Sequence, residues 1–339
     1  LYPLYYFSSN NLYYVSTSVY SLINFKKKFI RYFKINNADF FIPTYRTIDK
    51  YIYISCRYLP KFFKHKYRIV WSKIENVRDI NQIQHRAVKK LLEHLKVKQG
   101  LEIHYDGDLP ARSGMGSSSC FAVGLSKALY KIKGQELSKQ QLAKKTIEFE
   151  QKIMREIVGS QDQTIASYGG FNKIIFNKDN KIKVQKISSS RNIEKLNKNL
   201  VLIYTGINRT AHKIANSYVR KLTKSKKNHI EKIMSFVNEG KKILESGNVD
   251  DFGRLLNISW EEKKNLSNLI TNNKIDELYN EAINYGALGG KLLGAGGGGF
   301  LLMYMKKEKA KKFFRRHKNI INVPFNFTKD GSQVILNNL

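Results

Sequence analysis

Apolar and polar residues alternate along Tyr51–Arg57 and again along Tyr67–Trp71, which predicts two half-buried strands. The period then lengthens. Over residues 82–96, Ile83, Val88, Leu91, Leu92 and Leu95 supply the apolar side of a predicted helix. Leu101–Tyr105 reads as another strand, and a glycine- and serine-rich loop follows it. A helix is predicted from about Ser118 to Ile132, with Phe121, Leu125, Leu129 and Ile132 as its stripe and Gly134 at its end. Ser138 and Gln141 have the spacing of a capping box, so the next helix is placed at about 139–157. A short polar loop, Gly159-Ser160-Gln161-Asp162-Gln163, leads to predicted strands at Phe171–Phe176 and Lys183–Ile187.

The second half opens on a strongly apolar strand, Leu200–Tyr204. Long basic helices are predicted over about 210–247 and 250–286. Gly289–Gly299 is dense in glycine, Phe300–Met305 is a strand, 306–317 a basic helix and Val334–Leu336 a short closing strand. No internal repeat is visible. This order of elements predicts an α+β chain of two domains, 44–188 and 189–339, joined near the polar Ser188-Ser189-Ser190. Residues 1–43 stand apart. They are rich in Tyr, Phe, Ser and Asn, show neither period, and hold one acidic residue, Asp39.

Composition narrows the class. The 339 residues, 42% of them hydrophobic, suffice for two cores. No apolar run nears the roughly 20 residues of a membrane helix, so no membrane partner is expected. No secretory signal is visible. The two cysteines, Cys56 and Cys120, make neither a disulfide framework nor a metal spacing, and the seven histidines are scattered. These features fit a cytoplasmic protein. The net charge of +33 raises nucleic acid or an anionic surface as partners. The basic residues are spread along the whole chain, however, within a general bias to Lys, Asn, Ile and Tyr. The densest runs, Lys221–Lys227 and Lys306–Arg316, read as solvated helix faces. Nucleic acid is not expected as the primary partner, whereas binding small anions such as phosphates is a milder use of the same charge.

Candidate chemistry centres on Ser113-Gly114-Met115-Gly116-Ser117-Ser118-Ser119, between a strand and a helix. Gly114 and Gly116 allow positive φ and close approach of a ligand to the backbone. The helix start offers free N–H groups and the positive end of its dipole. Ser117, Ser118 and Ser119 add hydroxyls, one of which could ligate Mg²⁺. Together these describe a phosphate cradle, although a tight turn before a serine-capped helix would share the pattern. No Gly-Lys-Ser/Thr follows at Walker A spacing.

Further along, Glu150 falls on the same predicted helix face as Ala143, Ile147, Met154 and Ile157. A core-facing carboxylate needs a cation, either Mg²⁺ shared with ATP or a nearby Lys or Arg. Asp162, in its polar loop, could take or orient the proton of an acceptor alcohol, or simply cap a helix. Gly294-Ala295-Gly296-Gly297-Gly298-Gly299 formally contains G-x-G-x-x-G, but the strand follows it instead of preceding it. A backbone turn packed closely on another element, such as the first loop and its nucleotide, is the better reading. Arg46, Arg57, Arg112 and Arg209 are candidates for a substrate phosphate, with Arg112 and Arg209 the better placed.

At these residues the chain resembles the GHMP kinases. Leu109-Pro110-Ala111-Arg112-Ser113-Gly114-Met115-Gly116-Ser117-Ser118-Ser119 is similar to their second motif, and Gly290-Lys291-Leu292-Leu293 with Gly294–Phe300 to their third. Thr47–Tyr51, Cys56–Pro60, Gly159–Gln163 and Tyr204–Arg209 resemble the heptose phosphate kinases within that superfamily. The resemblance runs from about residue 44 to the end. It implies a two-domain kinase fold with ATP at the interdomain cleft. By matching position it makes Ser113–Ser119, Gly294, Gly296 and Gly297 nucleotide-binding, Ser118 and Glu150 ligands of Mg²⁺, Asp162 catalytic, and Arg112 and Arg209 substrate-binding. The γ-phosphoryl of ATP would pass to the anomeric hydroxyl of D-glycero-D-manno-heptose 7-phosphate. The 1,7-bisphosphate so formed would feed nucleotide-activated heptose for bacterial surface polysaccharide. A homodimer is compatible with this class.

One departure stands out. The family's first motif, a Pro-x-Arg strand followed by a Gly-Gly-Gly-Thr-Asp-like turn, is missing from residues 1–43. A shifted frame or a wrong start in an AT-rich gene would explain it. Two alternatives therefore stay open beside the heptose phosphate kinase. One is another sugar or sugar-phosphate kinase, fucokinase-like. The other is a non-catalytic member that only binds ATP.

Overall fold

The computed structural model describes residues 5–8, 11–14, 40–45, 48–111, 113–177, 181–187, 189–207, 214, 217 and 225–335. In the first half, a five-stranded sheet runs in the order β3 (Phe40–Tyr45), β4 (Tyr51–Tyr58), β7 (Leu101–Gly107), β5 (Tyr67–Val70), β6 (Ile74–Val77). Its neighbours are antiparallel except β5 and β7, which run parallel. A separate hairpin pairs β1 (Tyr5–Ser8) with β2 (Asn11–Tyr14). The sheet thus begins at Phe40, a few residues before the Thr44 expected from the sequence pattern.

Alternation predicts the inward face of this sheet well. Ile52, Ile54 and Cys56 of β4 and Tyr67 and Ile69 of β5 are buried. On the opposite face Arg57 and Arg68 flank Glu102 from the two neighbouring strands in register. Helix α1 (Arg86–His94) covers the core with Val88, Leu91 and Leu92, and Ile83 in the turn before it is buried as well. Helix α2 (Ser117–Ile132) runs through the middle of this half. It is buried nearly all round, which suits its apolar residues outside the predicted stripe, among them Ala122, Val123 and Ala128.

Helix α3 (Lys139–Glu148) begins with the expected capping box. The Gln141 N–H donates to the Ser138 hydroxyl at 3.2 Å, and the Ser138 N–H to the Gln141 side chain at 2.9 Å. The helix does not run on to 157. It widens into one π-type turn over Phe149–Ile153, closed by the Met154 N–H to the Phe149 carbonyl at 2.8 Å. The slip carries Ile157 out to the surface while Glu150 and Met154 stay buried. The segment read as a loop around Asp162 is a helix, α4 (Gln161–Tyr168), followed by the strands β8 (Asn172–Phe176) and β9 (Ile182–Lys186).

The second half holds α5 (Ser190–Asn199) and β10 (Leu200–Tyr204), then α6 (Lys227–Ser246), α7 (Val249–Lys264) and α8 (Asn273–Asn284). The predicted helix 250–286 is thus two helices, because Asn272 starts α8 with its side chain accepting from the Ile275 N–H. β11 (Gly289–Leu292), β12 (Phe300–Tyr304), β10 and β13 (Ile321–Asn322) form an antiparallel sheet in that order, and α9 (Lys307–Arg316) packs against it through Ala310 and Phe313. No strand forms at Val334; that side chain packs on the core of the first half. The last described residues return to the first half. Ile48 bridges Phe327, Asp49 accepts from the Asn326 backbone and side chain, and the Ser332 N–H donates to the Ala166 carbonyl at 2.8 Å. Among the described residues, no helix is long and apolar enough to cross a membrane.

Candidate active site

The loop Ser113–Gly116 leads into α2 without a side-chain cap. Gly116 occupies the cap position in the left-handed region, at φ 61°, and Gly114 also has positive φ. The serines stand inside the first turn instead of capping it, so the N–H groups there remain directed at whatever lies before the helix. Ser113 is buried, with its hydroxyl donating to the Pro110 carbonyl at 2.6 Å. Ser118 is exposed, whereas Ser119 is buried and turned inward.

Ser119 leads to Glu150. Its hydroxyl donates to Glu150 Oε1 at 3.2 Å, and the Gln163 side-chain amide donates to Glu150 Oε2. Glu150 is only 2% exposed, and no Lys, Arg or His among the described residues pairs with it. Burial pushes its carboxyl up to about 7, against the hydrogen bonds from Gln163 and Ser119, and the negative charges of Glu156 and Asp162 add to the rise. The salt bridge considered as the alternative is therefore not made among the described residues. A carboxylate and a hydroxyl beside a helix start form a donor set for a hard, oxygen-seeking cation. Mg²⁺ is commonly held by one or two carboxylates together with substrate phosphates. The serine hydrogen-bonded to Glu150 is Ser119.

Asp162 lies in the first turn of α4, half-buried, with Ser160 at the cap position. It is therefore neither in a loop nor a cap. α4 packs on both α2 and α3, and Asp162 lies near enough to Glu150 for its charge to act on that carboxyl.

The glycine run divides in two. A Cβ on Gly296 would stand 2.7 Å from the Ile270 backbone, and one on Gly297 2.4 Å from the Ile214 side chain. Gly294 offers its carbonyl to Lys263 at 2.6 Å. All three serve packing inside the second half. Gly299 is the member that reaches the loop: a Cβ there would stand 1.9 Å from the Ser113 carbonyl oxygen. Thr205, just after β10, holds Gly299 in place. Its N–H and hydroxyl donate to the Gly299 carbonyl at 2.8 and 2.9 Å, and its hydroxyl accepts from the Gly299 N–H at 3.0 Å. Met115, Ile48, Leu202 and Phe300 close an apolar cluster beneath this junction.

Of the arginines, Arg57 is committed to Glu102, its Nε donating at 3.0 Å. A hydrogen bond from His104, with Arg57 beside it, holds the Glu102 carboxyl down to about 2. Arg46, Arg112 and Arg209 lie outside the described residues. Sequence reasoning missed Gln163, Thr205 and the inward turn of Ser119. Thr205-Gly206 after a strong strand is the one available signal, and it points first to the Arg209 that follows.

A glycine loop opening on an uncapped helix, an inward carboxylate and a second carboxylate on a neighbouring helix are parts that phosphoryl transfer to an alcohol requires. The group follows from the chain's relatives. Residues 82–170 match the model of the GHMP kinases N terminal domain, and residues 241–320 that of the GHMP kinases C terminal. The D-glycero-alpha-D-manno-heptose 7-phosphate kinase of Campylobacter jejuni is 32% identical over 258 residues, 74% of each chain. The chain belongs to the GHMP kinase family. The mevalonate kinase of Pyrococcus horikoshii is 28% identical over 62% of this chain and 61% of its own. A crystal structure of a D-glycero-D-manno-heptose 1-phosphate kinase from Bacteriodes thetaiotaomicron shares the fold. Its TM-score is 0.67 at 23% identity, over 85% of this chain and 88% of that one.

Proposed function

We propose that this chain is a cytoplasmic sugar-phosphate kinase. It passes the γ-phosphoryl of ATP to the anomeric hydroxyl of D-glycero-D-manno-heptose 7-phosphate, giving the 1,7-bisphosphate. The observation that carries the reading is Glu150, a buried carboxylate with no cation paired to it among the described residues, facing Ser119 at the start of α2. The identity to the Campylobacter enzyme supports the choice of sugar.

In this reading the backbone and hydroxyls of Ser113–Ser119 hold the triphosphate at the junction of the 44–188 and 189–339 domains. Gly294, Gly296 and Gly297 shape the turn that brings Gly299 against the loop. Glu150, with Ser118 or Ser119, holds Mg²⁺, which supplies charge neutralisation for the transferring phosphoryl group. Asp162 takes or orients the proton of the attacking hydroxyl. Arg112 and Arg209 meet the phosphate of the sugar.

The test is ADP release by purified protein with Mg·ATP and a panel of free and phosphorylated sugars. The heptose 7-phosphate should give the fastest turnover, and Asp162→Asn should lower it about 10²–10⁴-fold with ATP binding kept. Fastest turnover with fucose would move the assignment to a fucokinase-like enzyme. That second reading is favoured by a bifunctional fucokinase/GDP-fucose pyrophosphorylase of Arabidopsis thaliana, 29% identical over 58% of this chain and 19% of its own. ATP binding without turnover on any sugar would identify a non-catalytic member, as the absent first motif suggests.

A further inference from the structure

Gln163 has no task in the reaction as described, yet its surroundings are unusual for a glutamine. The side chain is fully buried on α4. Its Nε2 donates to Glu150 Oε2, and its Oε1 is buried with no hydrogen-bond partner among the described residues. An unpaired buried carbonyl costs about 1–3 kcal/mol. A methionine or leucine would fill the same space without that cost, so packing alone gives no reason for an amide here.

What the amide achieves is a fixed carboxylate. Glu150 sits on the π-type turn Phe149–Ile153, where the helix ladder is loosened. One of its oxygens is held by Ser119 from α2 and the other by Gln163 from α4. The two holding residues come from the helix that follows the phosphate loop and the helix that carries Asp162. Gln163 and Asp162 are also consecutive on α4. Successive helical residues point about 100° apart, so one helix presents the amide inward to Glu150 while its neighbour Asp162 stays half-buried.

We propose that Gln163 is a positioning residue: it aims the Glu150 carboxylate at the metal of the nucleotide complex and locks that aim to the placement of Asp162. This rests on the kinase reading above. Outer-shell partners of metal-ligating carboxylates typically change metal affinity about 10–100-fold when removed.

Mn²⁺, followed by electron paramagnetic resonance in the presence of a non-hydrolysable ATP analogue, reads metal affinity without turnover. Gln163→Met, of nearly equal volume, should weaken recruitment of Mn²⁺ to the protein–nucleotide complex about 10–100-fold. In the Glu150→Gln background the same substitution should cost nothing further. Unchanged Mn²⁺ affinity in Gln163→Met overturns the proposal. So does an equal loss in both backgrounds, which would mark a general structural role. If wild type shows no nucleotide-dependent Mn²⁺ binding, the reading of the site itself fails, which is a different result from equal binding by wild type and variant. Should Gln163→Met not fold, Gln163→Asn withdraws the amide by one methylene and is read by the same criteria.

Discussion

Gly299 rests its α-carbon against the main chain of Ser113, so tightly that a Cβ would stand 1.9 Å from the Ser113 carbonyl oxygen. The last glycine of a run in the second half thus sets the position of a loop in the first. Gly299 also has φ of +100°, a region costly for any other residue. Gly299→Ala should lower stability by about 1–3 kcal/mol from backbone strain alone. It should also abolish ATP binding, because the loop must move to make room. Denaturant unfolding and an ATP titration check this, with Gly159→Ala as the control, since a Cβ on Gly159 meets nothing within 4 Å.

Thr205 is the support of that contact. Its hydroxyl donates to the Gly299 carbonyl and accepts from the Gly299 N–H. Thr205→Val keeps the shape but removes the hydroxyl from both backbone groups, so a loss of about 1–3 kcal/mol is expected. Thr205→Ser keeps the hydroxyl and should stay within about 1 kcal/mol of wild type. Thermal melts of the two variants separate the hydroxyl from the methyl group.

Glu150 makes the metal-free protein sensitive to pH. Its carboxyl ionises near 4.5 in an unfolded chain and is pushed up to about 7 in the fold, chiefly because it is buried. A raised folded value means the native state binds the proton more tightly. The stabilisation is complete below pH 4.5 and is lost as pH rises through 7. The loss is on the order of 3 kcal/mol. In the presence of a chelator, wild type should therefore fall in melting temperature relative to Glu150→Gln between about pH 5 and 8. Parallel profiles would show that the carboxyl titrates normally.

The returning tail supports α4 from outside. A Cβ on Gly331 would stand 2.2 Å from the Ser167 carbonyl oxygen, and one on Gly169 2.0 Å from the Asp330 backbone. Gly331→Val should push the tail off α4, destabilise the protein by about 1–3 kcal/mol and open the tail to endoproteolysis. Cleavage between Phe327 and Val334 in the variant, at a protease level that spares wild type, checks the outcome.

Much of the fold and the site is legible in the residues themselves. The capping box at Ser138 and Gln141, the alternation in β4 and the strand-to-helix loop at Ser113–Ser119 are local patterns, and local physics fixes them. Glu150 shows itself by lying among apolar helix positions. α4 does not, because it buries Gln163, Thr164 and Ser167 instead of an apolar stripe, so hydrophobic periodicity cannot see it. The contact between Gln163 and Glu150 depends on one π-type turn, and nothing in residue spacing announces a slip of that kind. The tail's last contacts, from Asp330 to Ser332, are made to distant backbone, so no pattern of side chains announces them.

The Ser332 N–H and the Ala166 carbonyl are joined across about half the chain. The helix bearing Asp162 thus gains its outer partner only from residues that a ribosome adds after residue 330. During synthesis the loop, Glu150 and Asp162 all leave the exit tunnel long before that partner exists. A nascent chain therefore carries the loop, Glu150 and Asp162 well ahead of the brace that steadies α4.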